Sequence, residues 1–126
     1  MATKGKLVPI VLIPRFTSFV SVGTYSSVAI DVSGYSGGTV VAWRGPVYNS
    51  GGAAPGLLVK IQDSEDGDHW FDIDNINLDS VTSGELDFAL TRRWLRASTY
   101  LHNSGMTSDP IGVTCWCTGS LESRLR

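Results

Sequence analysis

Residues 56–73 carry the pattern that most restricts the fold of this chain, and they read GLLVKIQDSEDGDHWFDI. In the first half Leu57, Val59 and Ile61 alternate with other side chains, a period of two that is typical of a strand with one face in a core. Asp66-Gly67 then supplies two residues that tolerate the left-handed region, so the chain can reverse its direction. Because apolar, strand-forming residues follow the turn, this segment predicts a β-hairpin.

The rest of the chain repeats this alternation in short segments separated by glycine, proline and Asn/Asp turns. About eight or nine strands with no amphipathic helix indicate an all-β fold, either a sandwich or a small barrel. We expect a single antiparallel β-sandwich of jelly-roll or Greek-key order. Besides the hairpin, the expected strands are residues 26–32, 39–44, 85–90, 92–101 and 110–118, and the expected inward residues are Val28, Ile30, Val32, Leu86, Phe88, Leu90, Leu95, Ala97, Thr99, Leu101, Ile111, Val113, Cys115 and Cys117.

A chain of 126 residues is long enough for one domain with a hydrophobic core. We expect an extended N-terminal arm or edge strand over residues 1–22, a sandwich domain over 23–120, and a C-terminal tail without a strand signal over 121–126. Pro9 and Pro14 each remove a backbone donor, which restricts the arm to a sheet edge or a bulge. Its apolar run is too short for a signal peptide core or a membrane span, so no membrane contact is expected.

Residues 45–56 form a segment rich in glycine and proline without any charged side chain. Its composition predicts a long loop between two strands. Loops of this length are usually either functional or mobile, so this one is a candidate contact region.

Cys115 and Cys117 flank Trp116 on one expected strand, so both thiols point to the same face. Side chains two apart on a strand diverge, which disfavours a disulfide between them. A zinc site would need a second ligand pair that this spacing lacks. Two buried free thiols are therefore expected.

Seven of the twelve acidic residues lie in or near the hairpin: Asp63, Glu65, Asp66, Asp68, Asp72, Asp74 and Asp79. Such a cluster is compatible with calcium, which prefers oxygen ligands. Turn chemistry explains much of it, because Asp side chains cap chain reversals. The segment also lacks the glycine and glutamate of an EF-hand loop, so a solvated acidic turn is the favoured interpretation and no metal ligand is assigned.

Catalysis has little support in the sequence. His69 and His102 are the two histidines, and neither lies in a nucleophile or metal-ligand motif. No glycine-rich loop precedes a helix, so a nucleotide site is not expected. A net charge of −2 gives no general attraction to nucleic acid. We therefore expect a protein without enzymatic activity, cofactor or direct nucleic-acid partner.

Aromatic and basic residues suggest surfaces for contact with other proteins. Most of the four tryptophans are expected to pack in the core or at its rim. Trp94 and Trp116 lie opposite the aliphatic rows of their strands, so they are the two we expect to be exposed or buried between subunits. Arg92, Arg93 and Arg96 form a basic cluster, which together with the acidic hairpin predicts a molecule with two oppositely charged ends. The alternative for the arginines is an ordinary solvated strand face.

The hairpin also carries a family resemblance. A strand ending in Gln62-Asp63-Ser64, followed by Asp66-Gly67, Trp70 and Asp72, resembles small β-sandwich proteins of tailed-bacteriophage virions, especially capsid decoration (cement) proteins and fibre-base domains. The strand Arg93-Trp94-Leu95-Arg96 is similar to a second element of that family. The long Gly/Pro-rich segment and the Cys-Trp-Cys strand depart from the family pattern.

This resemblance implies a virion structural protein, made in the host cytoplasm and located on the capsid surface, which binds the major capsid protein and stabilises the shell. It also implies self-association, for which a trimer is one option. The alternative function is a carbohydrate-binding or adhesion module of a phage tail or fibre. The residues expected to contact partners are Leu7, Ile10, Leu12, Arg15, Tyr48, Arg93, Trp94 and Arg96.

Overall fold

A computed structural model of the protein describes residues 6–49, 54–104 and 111–124. Within these ranges the regular structure is entirely β, which confirms the predicted fold class. The strands are β1 (Leu7–Phe19), β2 (Gly23–Ser26), β3 (Ile30–Asp31), β4 (Tyr35–Asn49), β5 (Ala54–Ser64), β6 (Phe71–Asn77), β7 (Ser83–Ala89), β8 (Trp94–Ser104) and β9 (Ile111–Ser123). No helix in these residues is long and apolar enough to span a membrane.

The strands form two antiparallel sheets that pack on a shared core. One sheet has the order β1-β9-β4-β7, and the other has the order β2-β8-β5-β6 with β3 also paired to β8. If β2 and β3 are counted as one interrupted strand, this is the strand order of a jelly roll. The structure therefore confirms a sandwich and agrees with the jelly-roll alternative.

The core is built from the inward rows that the alternation predicted. Leu57, Val59 and Ile61 of β5 are buried. The adjacent row of β8 in the same sheet is buried too, and it consists of Leu95, Ala97, Thr99 and Leu101. Burying an aliphatic side chain of this size contributes about 2 kcal/mol to folding. The period of two in the sequence thus fixes which face of each sheet meets the other.

The predicted hairpin joins β5 to β6, with a six-residue connection that is longer than a two-residue turn. Ser64 Oγ accepts hydrogen bonds from the backbone N–H groups of Asp66 and Gly67, and Asp66 Oδ1 accepts from those of Asp68 and His69. Gly67 has a φ of 82°, a conformation that glycine adopts without strain. The Asp-Gly signal is therefore correct, and side-chain oxygens organise the longer loop.

β1 is an edge strand that pairs with β9. Pro9 lies opposite Ser120 near its start, and Pro14 lies in an irregular stretch of the ladder between Ile13 and Thr17. Both prolines thus occupy the edge and bulge positions that their chemistry requires. β1 nevertheless contributes to the core, because Leu12, Ile13 and Phe19 are buried.

The last strand ends later than the sequence pattern indicated. β9 continues past residue 118 to Ser123, and Leu121 is a core residue with 2% exposure, so residues 121–123 do not form a tail. The inward row of β9 passes through Gly119, and a Cβ there would lie 2.0 Å from the Thr39 carbonyl oxygen. Because Gly119 has no side chain, the apolar alternation of β9 is interrupted at this position in the sequence, although the strand itself continues.

Two other segments differ from expectation. Residues 26–32 do not form one strand: β2 ends at Ser26, and β3 covers only Ile30–Asp31. Ser27 Oγ accepts the Ala97 backbone N–H at the point where the chain leaves the ladder. Val28, expected inward, is consequently 84% exposed.

Much of the expected loop 45–56 is strand: β4 extends to Asn49 and β5 begins at Ala54, with Pro46 accommodated in a register shift.

Candidate interaction surface

Four side chains form a cluster on the outer face of the β1-β9-β4-β7 sheet. The indoles of Trp43 and Trp116 stack with their centroids 3.9 Å apart, and the Phe16 ring meets Trp116 edge-on at 6.2 Å. The Arg15 guanidinium lies 5.4 Å from the Phe16 centroid and 5.0 Å from the Trp116 centroid. We call Arg15, Phe16, Trp43 and Trp116 the aromatic platform.

Strand register and one irregularity assemble this platform. Trp43 of β4 and Trp116 of β9 are direct partners in the ladder. Because Cys115 and Cys117 face the core, Trp116 between them must face outward. Ile13 and Thr17 pair with Cys117 and Cys115, so residues 14–16 together span the position opposite Trp116.

Phe16 is the most unusual member of the platform. Its φ is 67°, in the left-handed region that a bulky residue rarely adopts, and its side chain is 75% exposed. Such a conformation costs about 1–3 kcal/mol and is typical of functional sites. The backbone thus holds a large apolar ring in solvent at an energetic cost.

The β1 residues that were expected to contact other proteins lie in different environments. Arg15 belongs to the platform, and Leu7 is 64% exposed at the start of the strand. Ile10 packs partly against the core, whereas Leu12 is only 4% exposed and offers little surface to a partner. Tyr48 pairs through its backbone with Gly112, and its side chain lies outside the described part of the structure.

The other expected contact residues lie in the opposite sheet: Trp94 and Arg96 are on β8, and Arg93 immediately precedes that strand. Arg93 forms an ion pair with Asp31 at 3.1 Å and lies over the Trp94 ring. Arg96 donates from Nε to Gln62 Oε1 at 2.9 Å and lies 4.2 Å from the Trp70 centroid. The structure therefore divides the expected set between the two sheets and does not bring it together as one site.

The expectation of two oppositely charged ends is wrong. Gln62 of the acidic hairpin pairs in register with Arg96, which places the arginines beside the acidic residues. Arg92 Nη1 lies 3.0 Å from Oδ1 of the buried Asp63, and Gln62 donates onward to Asp72. The fold thus places Arg92 against the charge of Asp63, although the two residues are far apart in the sequence.

The acidic loop forms its own hydrogen-bond network. The two backbone N–H groups and the His69 ring that donate to Asp66 hold the pKa of its carboxyl well below the usual value. The Asp66 carboxylate in turn raises the pKa of His69. Within the described ranges, no group of three or more acidic, histidine or cysteine side chains is positioned to hold a metal ion.

Cys115 and Cys117 are free thiols in the core, as predicted. Burial raises the pKa of each to about 12. A thiol that stays protonated is a poor nucleophile and a poor metal ligand. Both cysteines therefore act as small apolar residues.

Phe16 and Trp43 were missing from the residues expected to contact partners, whereas Trp116 was expected to be exposed or buried between subunits. Trp116 gave a usable signal, because its position between two inward cysteines predicts an outward ring. Trp43 could have been found from the same logic only with the β4–β9 register known. Phe16 required the irregularity after Pro14, which the sequence suggests but does not locate.

Comparison with known proteins identifies the fold. The chain matches no protein-family profile and no curated protein sequence. It is similar to chains in the structures of the infectious bursal disease virus Gx strain (TM-score 0.61, 11% identity, 96% of this chain and 33% of that one) and of the Gt strain (0.57, 12%, 94% and 32%). It is also similar to the crystal structure of the VP2 subviral particle of that virus (0.59, 11%, 94% and 32%).

The chain spans about a third of the length of these virus-particle chains. At such low identity the likeness is one of fold. It places this jelly roll among architectures that also occur in virus particles.

Proposed function

We propose that this chain is a virion structural protein, and specifically a capsid decoration protein that binds the major capsid shell and stabilises it. The aromatic platform is the observation that carries this proposal. It presents a partly buried, stacked tryptophan pair, a strained and exposed phenylalanine and an arginine on one sheet face. Tryptophan and arginine are enriched among the residues that dominate binding energy in protein interfaces.

The proposed mechanism is mechanical. Each copy buries its platform against the shell, and copies placed across joints between capsid subunits oppose the separation of those subunits. Self-association into a homo-oligomer such as a trimer would multiply these contacts without any new type of interaction. The fold shared with virus-particle chains supports a virion location on the capsid surface.

Co-sedimentation with expanded empty capsids of the parent phage tests this proposal. The wild-type chain should co-sediment with the capsids and raise their melting temperature. Phe16→Ala and Trp116→Ala should each weaken binding by tenfold or more, which is the usual range for a central interface aromatic. The matched control is Phe71→Ala, because Phe71 is also exposed and also lies against an arginine, Arg92, but on the other sheet.

Equal binding of Phe16→Ala and Phe71→Ala would remove the platform as the docking surface. Failure of the wild-type chain to associate with capsids would overturn the decoration role itself.

A carbohydrate-binding or adhesion module is the second candidate, and a polar groove on the other sheet favours it. The groove lies over β2, β5 and β8, has a volume of about 440 Å³, and is lined by hydroxyl, amide and cationic groups: Thr24, Ser26, Lys60, Gln62, Arg96, Ser98 and Tyr100. Because Trp70 lies against Arg96, glycans that bind here should shift tryptophan fluorescence. Such a shift, abolished by Trp70→Phe and retained in Trp43→Phe, would support this function over the first.

A further inference from the structure

An apolar cleft opens at the side of the sandwich where β1 and β2 form the free edges of the two sheets. Its volume is about 340 Å³, at the lower end of the range for small-molecule pockets. Its walls come from β1 and from the segment that carries β2 and β3, and Thr99 of β8 also lines it. Of the described residues that line it, none carries a charge.

Thr99 is the second observation that points to a ligand. The residue is fully buried, and its Oγ1 is the single buried side-chain polar atom without a hydrogen-bond partner in the described part of the chain. A buried hydroxyl without a hydrogen-bond partner destabilises the folded state, because it has lost its bonds to water and gained none in return. Native structures rarely keep such a group without a reason, and one recurring reason is a bound molecule that completes its hydrogen bond.

The mouth of the cleft is apolar and exposed. Val28 is 84% exposed and Val11 is 57% exposed, although both line the cleft. A molecule bound there would cover the methyl groups of both valines, and removing that apolar surface from water would favour binding. The site thus combines an apolar body with one polar group at depth.

The form of the edges favours a small molecule over an added strand of a partner protein. β1 contains Pro9 and Pro14 and an irregular ladder, while β2 and β3 are four and two residues long. Prolines, bulges and short strands all impair the addition of a further strand. A small molecule needs none of those backbone groups.

We propose that this cleft binds a small uncharged amphiphile, with its aliphatic body between β1 and Val28 and its single hydroxyl-type group hydrogen-bonded to Thr99 Oγ1. A carboxylate is disfavoured because the cleft supplies no cation to balance it. The cleft shares no residue with the aromatic platform, although Pro14 and Thr17, which line it, flank Arg15 and Phe16 in the chain. The proposal does not depend on the decoration role.

Isothermal titration of the full chain with hexanol tests the proposal, with hexanoate as the charged probe of equal length. Hexanol should bind and raise the melting temperature, and hexanoate should bind at least tenfold more weakly. Thr99→Val keeps the shape of the side chain and removes the hydroxyl, so it should weaken hexanol binding roughly three- to tenfold. It should also make the ligand-free protein melt higher, which shows that the variant folds.

A second pair of variants tests the mouth of the cleft. Val28→Asp should weaken hexanol binding at least tenfold, whereas Val81→Asp, at a valine that is 49% exposed and does not line the cleft, should leave it unchanged. Equal hexanol affinity in wild type and Thr99→Val, or equal effects of the two aspartates, would overturn the proposal. Absence of hexanol binding together with weaker capsid association of Val28→Asp would overturn it in favour of a protein contact.

Discussion

Trp43 and Trp116 are direct partners in the β4–β9 ladder, and their indole rings stack with centroids 3.9 Å apart and planes inclined by 23°. One face of this pair is extended by Phe16 and Arg15 from the edge strand. Three strands therefore contribute to one aromatic surface. Its geometry depends on the register of the ladder, so it reports on the native pairing of β1, β9 and β4.

The stacked pair should give a distinct optical signal. Two indoles this close couple electronically, and we expect an exciton couplet in the far-ultraviolet circular-dichroism spectrum of the folded protein. Trp43→Phe and Trp116→Phe should each abolish the couplet, because each removes one partner. Trp70→Phe and Trp94→Phe are the matched controls on the other sheet and should retain it. A couplet that survives Trp116→Phe would contradict the stack.

Phe16 should show its backbone strain in a comparison of two truncations. Phe16→Ala and Phe16→Gly both remove the ring, but only glycine adopts a φ of 67° without a Cβ penalty. We therefore expect the glycine variant to be more stable than the alanine variant by about 1 kcal/mol, measured by urea unfolding. An alanine variant as stable as the glycine variant would show that Phe16 is not strained.

The fold was predictable from the sequence to the extent that core rows alternate without interruption. Leu57, Val59 and Ile61 of β5 and the adjacent row of β8 identified the core face of their sheet, because a one-residue slip in register would expose the whole row. The prediction failed where a side chain was absent or diverted. Gly119 interrupted the inward row of β9, and Ser27 used its hydroxyl in place of a ladder bond.

The candidate surface was much less predictable, because it depends on which strands are neighbours. Arg15 and Trp116 are about a hundred residues apart in the chain and meet only because β1 pairs with β9. The prediction of the charge distribution failed for the same reason. Arg92 and Asp63 were expected at opposite ends of the molecule, whereas they form a close ion pair. The alternation of side chains predicts which face of a strand is buried. Contacts between strands can be predicted only when it is known which strands are neighbours in the sheet.

That ion pair should be important for stability. Asp63 is 3% exposed in its side chain and contacts Arg92 at 3.0 Å, so Arg92→Ala would leave a buried carboxylate without its cation. We expect a loss of about 2 kcal/mol in the free energy of unfolding, measured by urea titration. The matched control is Arg93→Ala, whose partner Asp31 is 41% exposed, and it should cost less than about 1 kcal/mol. Similar losses in both variants would contradict a special role for burial.

The two thiols provide a probe of core integrity. Since burial raises the pKa of Cys115 and Cys117 to about 12, both remain protonated and shielded at neutral pH. An aromatic disulfide reagent should therefore label the native protein far more slowly than the urea-unfolded protein, where both thiols react. Rapid labelling of either cysteine in the native protein would show that β9 opens locally or that the thiol is exposed.

The acidic loop should show a pH response that can be measured at a single residue. The pKa of Asp66 is lowered, so the stability that this group contributes is present above its unfolded value of 3.8 and is lost as the pH falls through the lower folded value. The pKa of His69 is raised, so its contribution is complete below 6.5 and is lost as the pH rises through the higher folded value. The pair is therefore most favourable between about pH 4 and 6.5. Titration of the His69 ring by NMR should give a pKa above 6.5 in the wild-type protein.

Two substitutions then separate the causes of this shift. Asp66→Asn should bring the His69 pKa back towards 6.5, since the amide can still accept the two backbone bonds but has lost its charge. Asp68→Asn should lower it less, because Asp68 acts only through its charge and is the weaker cause. An unchanged His69 pKa in Asp66→Asn would mean that the 2.7 Å contact between Nδ1 and Oδ2 does not persist in solution.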